Sequence, residues 1–146
     1  MEYRRFADTY VVRLDRGDEV IQSLTELCEV EQIALGEITG LGAADHAVVG
    51  LYHVADRRYQ KQELSGPMEI TSLVGNISQK DGAVYLHIHI NLCNEKMQVY
   101  GGHLNACRIS ATGEFMVRRI EGSVGRRLDL KETGLNLYLF DENKKQ

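Results

Sequence analysis

One short segment alternates strictly between two kinds of side chain, and this constrains the fold more than any other feature of the chain. The segment is Tyr85-Leu86-His87-Ile88-His89-Ile90-Asn91. A β-strand directs successive side chains to opposite faces, so the alternation predicts a half-buried strand with an apolar inner face. His87 and His89 then share the outer face. A third histidine follows in Gly101-Gly102-His103-Leu104, so the sequence predicts a cluster of imidazoles.

The size and charge of the chain limit what it can be. Its 146 residues suffice for one domain with a real core. We predict a single domain over 1–146, with a core of about 3–141 and a frayed C-terminal tail over 142–146. The net charge of −4 and the pI near 5.7 argue against a strongly basic nucleic-acid binder, although they leave room for a local basic patch.

Cysteine usage and hydropathy predict a cytoplasmic location. The three cysteines, Cys28, Cys93 and Cys107, form no Cys-x-x-Cys pair and are odd in number, which is typical of a reducing compartment. The first residues lack the apolar run of a secretory signal, and no stretch is long enough to span a membrane. We therefore expect no membrane association, and thiols that serve as small core side chains.

Hydrophobic periodicity predicts an α+β domain with a largely antiparallel sheet and one early amphipathic helix. Apolar residues recur at helical spacing from Glu19 to Ile33, and Asp18 is a natural N-cap for this helix. The later apolar stretches are separated by polar turns, which is typical of strands. We predict strands over Tyr3–Leu14, Ala47–Val54, Tyr59–Leu64, Met68–Ile77, Ala83–Cys93, Met97–Leu104, Asn105–Ile120 and Leu135–Phe140.

The spacing of the histidines predicts how two strands pair. If Asn94-Glu95-Lys96 forms a three-residue hairpin loop, Cys93 lies opposite Met97. His87 is then opposite His103, and His89 is opposite Gly101. Opposed β-carbons lie ~4.5–5.5 Å apart, so the three rings could converge on one cation, with the missing side chain at Gly101 leaving space beside His89.

Three neutral imidazoles suit a divalent metal. They are ligands for Zn²⁺ and also for Cu, Ni or Fe, and three protein ligands leave a fourth position for water or substrate. The donor set alone does not fix which of these metals binds. Glu69 and Glu114 interrupt apolar strands and are the candidates for a nearby acid or base, with Gly101 and Gly102 as possible pocket residues. The catalytic residues, and whether the chain is an enzyme at all, stay open.

Other readings of the same residues compete with this one. A His-x-His pair in a strand also occurs as a polar face that only touches solvent. Arg118-Arg119 and Arg126-Arg127 could contact phosphate, but isolated arginine pairs are more often solvated or salt-bridged. Gly40-Leu41-Gly42 lacks the third glycine of a dinucleotide-binding loop, so we predict no nucleotide cofactor.

The order of four motifs resembles the plants-and-prokaryotes-conserved (PPC) domain family over about residues 3–141. The motifs are Gly40-Leu41-Gly42-Ala43, Gly66 to Ile77, His87-Ile88-His89 and Gly101-Gly102-His103-Leu104. The resemblance implies an α+β fold with an antiparallel sheet and a homotrimer. It also implies a metal site on the His-x-His pair and the histidine of the last motif, which are His87, His89 and His103 here.

The same resemblance implies an association with DNA, from which this chain departs. In the plant proteins the domain follows AT-hook segments, whose core is Arg-Gly-Arg-Pro. Gly125-Arg126-Arg127-Leu128 lacks the leading arginine and the proline, and the sole proline is Pro67. The plant segment linked to partner binding has arginine and phenylalanine where this chain has Pro67 and Met68.

Three functions therefore remain. The first is a trimeric metal-binding domain, with zinc as the expected metal, that takes a small molecule or supports a metal-dependent reaction. The second is a DNA-binding or DNA-associated regulatory protein without an AT-hook. The third is a plain oligomerisation module in which the histidines only pack.

Overall fold

The fold consists of one helix and eight strands, in a computed structural model that describes residues 1–140. The predicted tail over 142–146 lies outside the described residues. In chain order the elements are β1 Glu2–Phe6, β2 Thr9–Asp15, α1 Val20–Val30, β3 Gly36–His53, β4 Arg58–Lys80, β5 Ala83–Asn94, β6 Val99–Arg119, β7 Gly125–Leu128 and β8 Asn136–Leu139.

The helix forms where the periodicity predicts it, but it is shorter at both ends. Glu19 is the N-cap instead of Asp18, because its carboxylate accepts a hydrogen bond from the backbone N–H of Gln22 at 2.7 Å. The helix stops before Ile33, since Gln32 adopts a positive φ of 54°. Its buried face packs on β5 and β6 through Val20, Ser23, Leu24, Leu27 and Cys28.

Four strands pair in a closed ring, and this ring organises the molecule. Each of β3, β4, β5 and β6 is hydrogen-bonded to two of the others, in the cyclic order β3-β4-β5-β6. The β1-β2 hairpin extends the sheet from β6, and the β7-β8 hairpin joins β4 through a single parallel bridge between Gln79 and Gly125. Every other strand pair in the described residues is antiparallel, so the predicted fold class is confirmed.

Strand boundaries differ from the sequence expectations in an informative way. The predicted first strand is a hairpin, because Ala7 turns the chain with a φ of 54°. The later segments fuse instead: Tyr59–Leu64 and Met68–Ile77 belong to β4, and Met97–Leu104 and Asn105–Ile120 belong largely to β6. The fused strands keep pairing through register shifts, such as that between Gly40 and Gly42, which let them bend around the ring.

The glycine-rich segment lies inside β3 and not in a ligand-binding loop. A Cβ on Gly40 would overlap the ring of Phe115, which is almost fully buried on β6. The glycine therefore permits a large aromatic side chain to cover the backbone of the neighbouring strand.

The sheet separates a buried inner face from an exposed outer face. On β5, Ile88, Ile90 and Leu92 are at most 2% exposed, whereas the intervening residues point outward. The outer face is therefore where the histidines lie. No helix in residues 1–140 is long and apolar enough to span a membrane.

Candidate metal centre

The hairpin between β5 and β6 sets the position of His103, and its register differs from the predicted one by two residues. Cys93 lies opposite Val99, His89 opposite His103 and Asn91 opposite Gly101. The predicted pairings of Cys93 with Met97, of His87 with His103 and of His89 with Gly101 are therefore wrong.

The cause of this shift is the side chain of Asn94. The three-residue loop is Glu95–Met97, one residue later than predicted, and Asn94 and Gln98 close it with a backbone hydrogen bond of 3.0 Å. The Asn94 Oδ1 accepts hydrogen bonds from the backbone N–H groups of Lys96 and Gln98, at 2.9 and 3.1 Å. Met97 completes the loop in the left-handed region, with a φ of 58°.

A shift of two residues leaves the three histidines on one face, because the side-chain period of a strand is two. One ring nitrogen from each of His87, His89 and His103 lies within 4.8 Å of the others. The ring centroids are 5.1 to 5.6 Å apart. In residues 1–140 no other group of three or more His, Cys, Asp or Glu side chains lies close enough together to share an ion.

The chemistry of this donor set fits a divalent cation. Burial lowers the pKa of His87 to about 4, with smaller contributions from His103, His89 and Arg126. Burial, followed by the nearby His89, also lowers the pKa of His103. Both imidazoles are thus neutral at pH 7, which is the form that coordinates a metal.

Tyr59 on β4 and Asn105 on β6 contact His103. The Tyr59 ring meets the His103 ring edge-on, with centroids 6.3 Å apart. The Asn105 side-chain amide donates to the Tyr59 hydroxyl at 2.6 Å and to the backbone carbonyl of His103 at 3.0 Å. Gly50 lies opposite His103 on β3, and a Cβ there would overlap the Tyr59 hydroxyl. This glycine therefore makes room for the tyrosine.

Asn76 and Arg126 lie on the other side, next to His87. Asn76 is directly opposite His87 in the β4-β5 pairing, and its Oδ1 accepts a hydrogen bond from Arg126 Nη2 at 3.2 Å. Arg126 comes from β7, which the sequence did not predict as a strand. The half-buried guanidinium is thereby brought close to the cluster.

The other predicted site residues lie elsewhere. Glu69 is opposite Cys93, four residues beyond His89 on the same strand, which is ~13 Å along β5. Glu114 is opposite Leu41, at the far end of β6. Gly101 and Gly102 do not open a pocket beside the histidines, since a Cβ on either would meet a neighbouring strand at Asn91 or at the Gly50 carbonyl.

Sequence reasoning missed the residues that surround the cluster. Tyr59 carries no pattern that links it to His103, because it lies on β4 and reaches β6 only through the folded sheet. Asn105 is two residues from His103 in the chain, but the sequence alone does not connect it to Tyr59. In the sequence Arg126 stands out only as part of the basic pair Arg126-Arg127. The only available signal was Asn76, which follows a glycine within the motif from Gly66 to Ile77 and occupies the position opposite His87.

Comparison with solved structures finds the same fold in prokaryotic proteins. A metal-containing protein from Archaeoglobus fulgidus is 34% identical, with 95% of this chain and 97% of that chain covered and a TM-score of 0.84. A protein from Bacteroides thetaiotaomicron for which DNA binding has been suggested is 29% identical, with coverages of 95% and 96% and a TM-score of 0.92. A plant- and prokaryote-conserved (PPC) protein from Pyrococcus horikoshii is 28% identical, with 95% of each chain covered and a TM-score of 0.80.

Comparison by sequence gives the family directly. No curated protein matches the chain significantly. Residues 1–121 match the Plants and Prokaryotes Conserved (PCC) domain, whose other abbreviation is PPC. This match spans most of the chain and agrees with the order of motifs in the sequence. The chain therefore belongs to the plants-and-prokaryotes-conserved domain family.

Proposed function

We propose that the chain binds a divalent metal, with zinc favoured, through His87, His89 and His103. The observation that carries the proposal is the convergence of three ring nitrogens within 4.8 Å on one face of the sheet. Three histidines leave a tetrahedral cation one free position, unlike structural zinc sites, which four protein ligands close. Water or a small molecule would occupy that position.

Binding of a small molecule is the better-supported use of the open position. A bound cation would supply Lewis acidity to a ligand there. Glu69 and Glu114, the carboxylates that the sequence suggested as general acid or base, lie away from the cluster in the strand register. The neighbouring side chains are instead hydrogen-bonding groups and one arginine, which bind and orient a ligand.

A metal-containing relative supports the proposal that this chain binds a metal. The Archaeoglobus fulgidus protein is described as metal-containing and shares 34% of its sequence with this chain. Imidazole ligands accept several divalent metals, and elemental analysis of the purified protein identifies the ion.

Metal content of the purified protein tests the proposal. The variant is the double substitution His87→Ala and His89→Ala. The matched control is His46→Ala with His53→Ala, since these two histidines lie outside the cluster and contact Glu63 and Gln60. We expect close to one metal per chain in the wild type and the control, and a loss of most of it in the cluster variant. Equal, substoichiometric metal in all three would reject the site.

We also propose that the chain forms a homotrimer. The support is a row of exposed apolar side chains on the outer face, which Val11, Met116 and Val74 occupy on β2, β6 and β4 at 41 to 55% exposure. Met116 lies opposite Val11, and Val74 is reached through Thr39 on β3. Exposed apolar side chains grouped on one face, here with Thr39 between Met116 and Val74, are typical of subunit contacts. Light-scattering mass in solution tests the trimer, and a Met116→Asp variant is expected to dissociate it.

DNA association is the second candidate, and the Bacteroides thetaiotaomicron relative is the observation that favours it. The net charge of −4 opposes it, because phosphate contacts require lysines and arginines in excess. Titration of the protein with an A·T-rich DNA duplex at low salt tests DNA association. Phosphate contacts are strongest at low salt, so absence of binding there excludes this candidate.

A further inference from the structure

The guanidinium of Arg126 is held in a fixed position by five groups from three strands. It donates from Nε to Ser78 Oγ at 2.7 Å, from Nη1 to the Asn136 carbonyl at 2.9 Å and from Nη2 to Asn76 Oδ1 at 3.2 Å. It also stacks on the rings of Tyr85 and Tyr138, with its central carbon 4.8 and 4.2 Å from the two centroids. Such an arrangement removes the mobility that arginine normally has on a surface.

No carboxylate balances the charge of this arginine within residues 1–140. The ion pairs of the described residues involve other cations. Arginine carries five N–H donors, and the three hydrogen bonds leave one on each terminal nitrogen. Among the described residues this half-buried, pre-oriented cation keeps two terminal donors and has no counter-ion, which suits it to an anionic ligand.

The unused N–H donors of Arg126 lie next to the histidine cluster. Asn76, which accepts from its Nη2, is directly opposite His87. Tyr85, which stacks on it, is two residues from His87 on the same face of β5, about 7 Å along the strand. A divalent cation on the three imidazoles would add two further positive charges, and no carboxylate belongs to that ligand set.

We propose that Arg126 forms an oxyanion-binding subsite next to the metal centre, for a small molecule that carries a carboxylate or phosphate group. The inference rests on the proposed metal-binding function and specifies its ligand class. One end of such a molecule takes the open coordination position, and its anionic group pairs with the terminal N–H groups of Arg126. Asn76 and the two tyrosines position the guanidinium.

Calorimetric titration of the zinc-loaded protein with inorganic phosphate and with acetate tests this subsite. We expect at least tenfold weaker binding of these probes in Arg126→Gln than in the wild type. Arg127→Gln is the matched control, because Arg127 is the exposed neighbour on the same strand, and it should bind as the wild type does. Equal affinities in Arg126→Gln and wild type would overturn the proposal.

Two further measurements keep the outcome decisive. If Arg126→Gln does not fold, Arg126→Lys replaces it, since lysine keeps the charge but not the planar pair of donors. Unchanged affinity in that variant would reject the guanidinium subsite. If the wild type binds no metal, the proposed metal-binding function is rejected. The phosphate titration is then repeated on the metal-free proteins to test Arg126 separately. Weaker phosphate binding in the variant than in the wild type supports the subsite, and equal binding rejects it.

Discussion

His89 and His103 lie directly opposite each other on β5 and β6, with ring centroids 5.6 Å apart and ring planes at 90°. His87 is the diagonal neighbour of this pair, at 5.1 Å from His103. The pair comes from a single hairpin, so the distance between these two ligand candidates depends on one three-residue loop. The position of the third ligand candidate, His87, follows from the strand period alone, because it is two residues from His89 on β5.

The stability of the metal-free protein is expected to fall between pH 6.5 and 4 because of His87. Its pKa is about 4 in the folded protein and 6.5 in the ordinary, solvated state. In this interval the unfolded chain binds a proton that the folded chain excludes, so unfolding is favoured as pH decreases. Above pH 6.5 the imidazole is neutral in both states and contributes no such penalty.

Urea unfolding at pH 7 and pH 4.5 measures this effect. The wild type should lose more unfolding free energy between the two pH values than His87→Gln does. The carboxylates titrate in both proteins, so the difference between the two losses is due to His87. Identical pH dependence in both proteins would contradict the buried, neutral state of His87.

Gly50→Ala is expected to disturb the cluster without touching a histidine. The new Cβ overlaps the Tyr59 hydroxyl, so Tyr59 and Asn105 must move away from His103. We expect a loss of about 1–3 kcal/mol in unfolding free energy from the overpacking. Metal affinity should decrease about tenfold, which is the lower end for loss of groups that orient a ligand.

A double-mutant cycle separates this cause from a general effect of the substitution. Removal of the ring by Tyr59→Ala takes away the steric conflict, so the two substitutions together should cost less than the sum of their separate effects. Chemical denaturation and metal titration of the four proteins give the coupling. Strict additivity would show that Gly50 and Tyr59 act independently.

Met97→Gly is expected to stabilise the hairpin. Met97 has a φ of 58° and a side chain that is 79% exposed, so glycine relieves left-handed strain at little packing cost. We expect the unfolding free energy to rise by about 0.5–1 kcal/mol, after the entropic cost of the more flexible glycine in the unfolded chain is subtracted. Thermal unfolding measures it.

Asn94→Ala provides the opposite control in the same loop. It removes the acceptor of two backbone hydrogen bonds and should destabilise by about 1 kcal/mol. A destabilised Met97→Gly protein would show that the methionine contributes contacts beyond this loop geometry.

The three cysteines should differ sharply in reactivity. Burial raises the pKa of the Cys28 and Cys107 thiols to about 12, so both remain protonated and inaccessible at pH 8. Cys93 is only partly buried. A thiol-reactive dye should modify one cysteine quickly in the folded protein and all three after denaturation. Rapid modification of three thiols under native conditions would contradict this burial.

The sequence was sufficient for those features that depend on local period. Alternation alone put His87 and His89 on one face, and helical spacing located the helix within a few residues at each end. The face of His103 followed from the assumption of a three-residue loop, since shifting such a loop by one residue at both ends moves the register by two and keeps the parity. A loop of even length would have put His103 on the other face. The order of the four motifs is also sufficient to indicate the family, which the match over residues 1–121 shows.

Tertiary structure decided the features that depend on strand bending and on long-range pairing. The closed ring of β3 to β6 forms because register shifts let long strands curve, which no local pattern records. That curvature brings Tyr59 to His103, and the parallel bridge at Gly125 brings Arg126 to Tyr85 and Asn76. Sequence period therefore determined which histidines share a face, whereas only the folded sheet determined their exact partners, because side chains far apart in the chain meet through non-local hydrogen-bonded pairing.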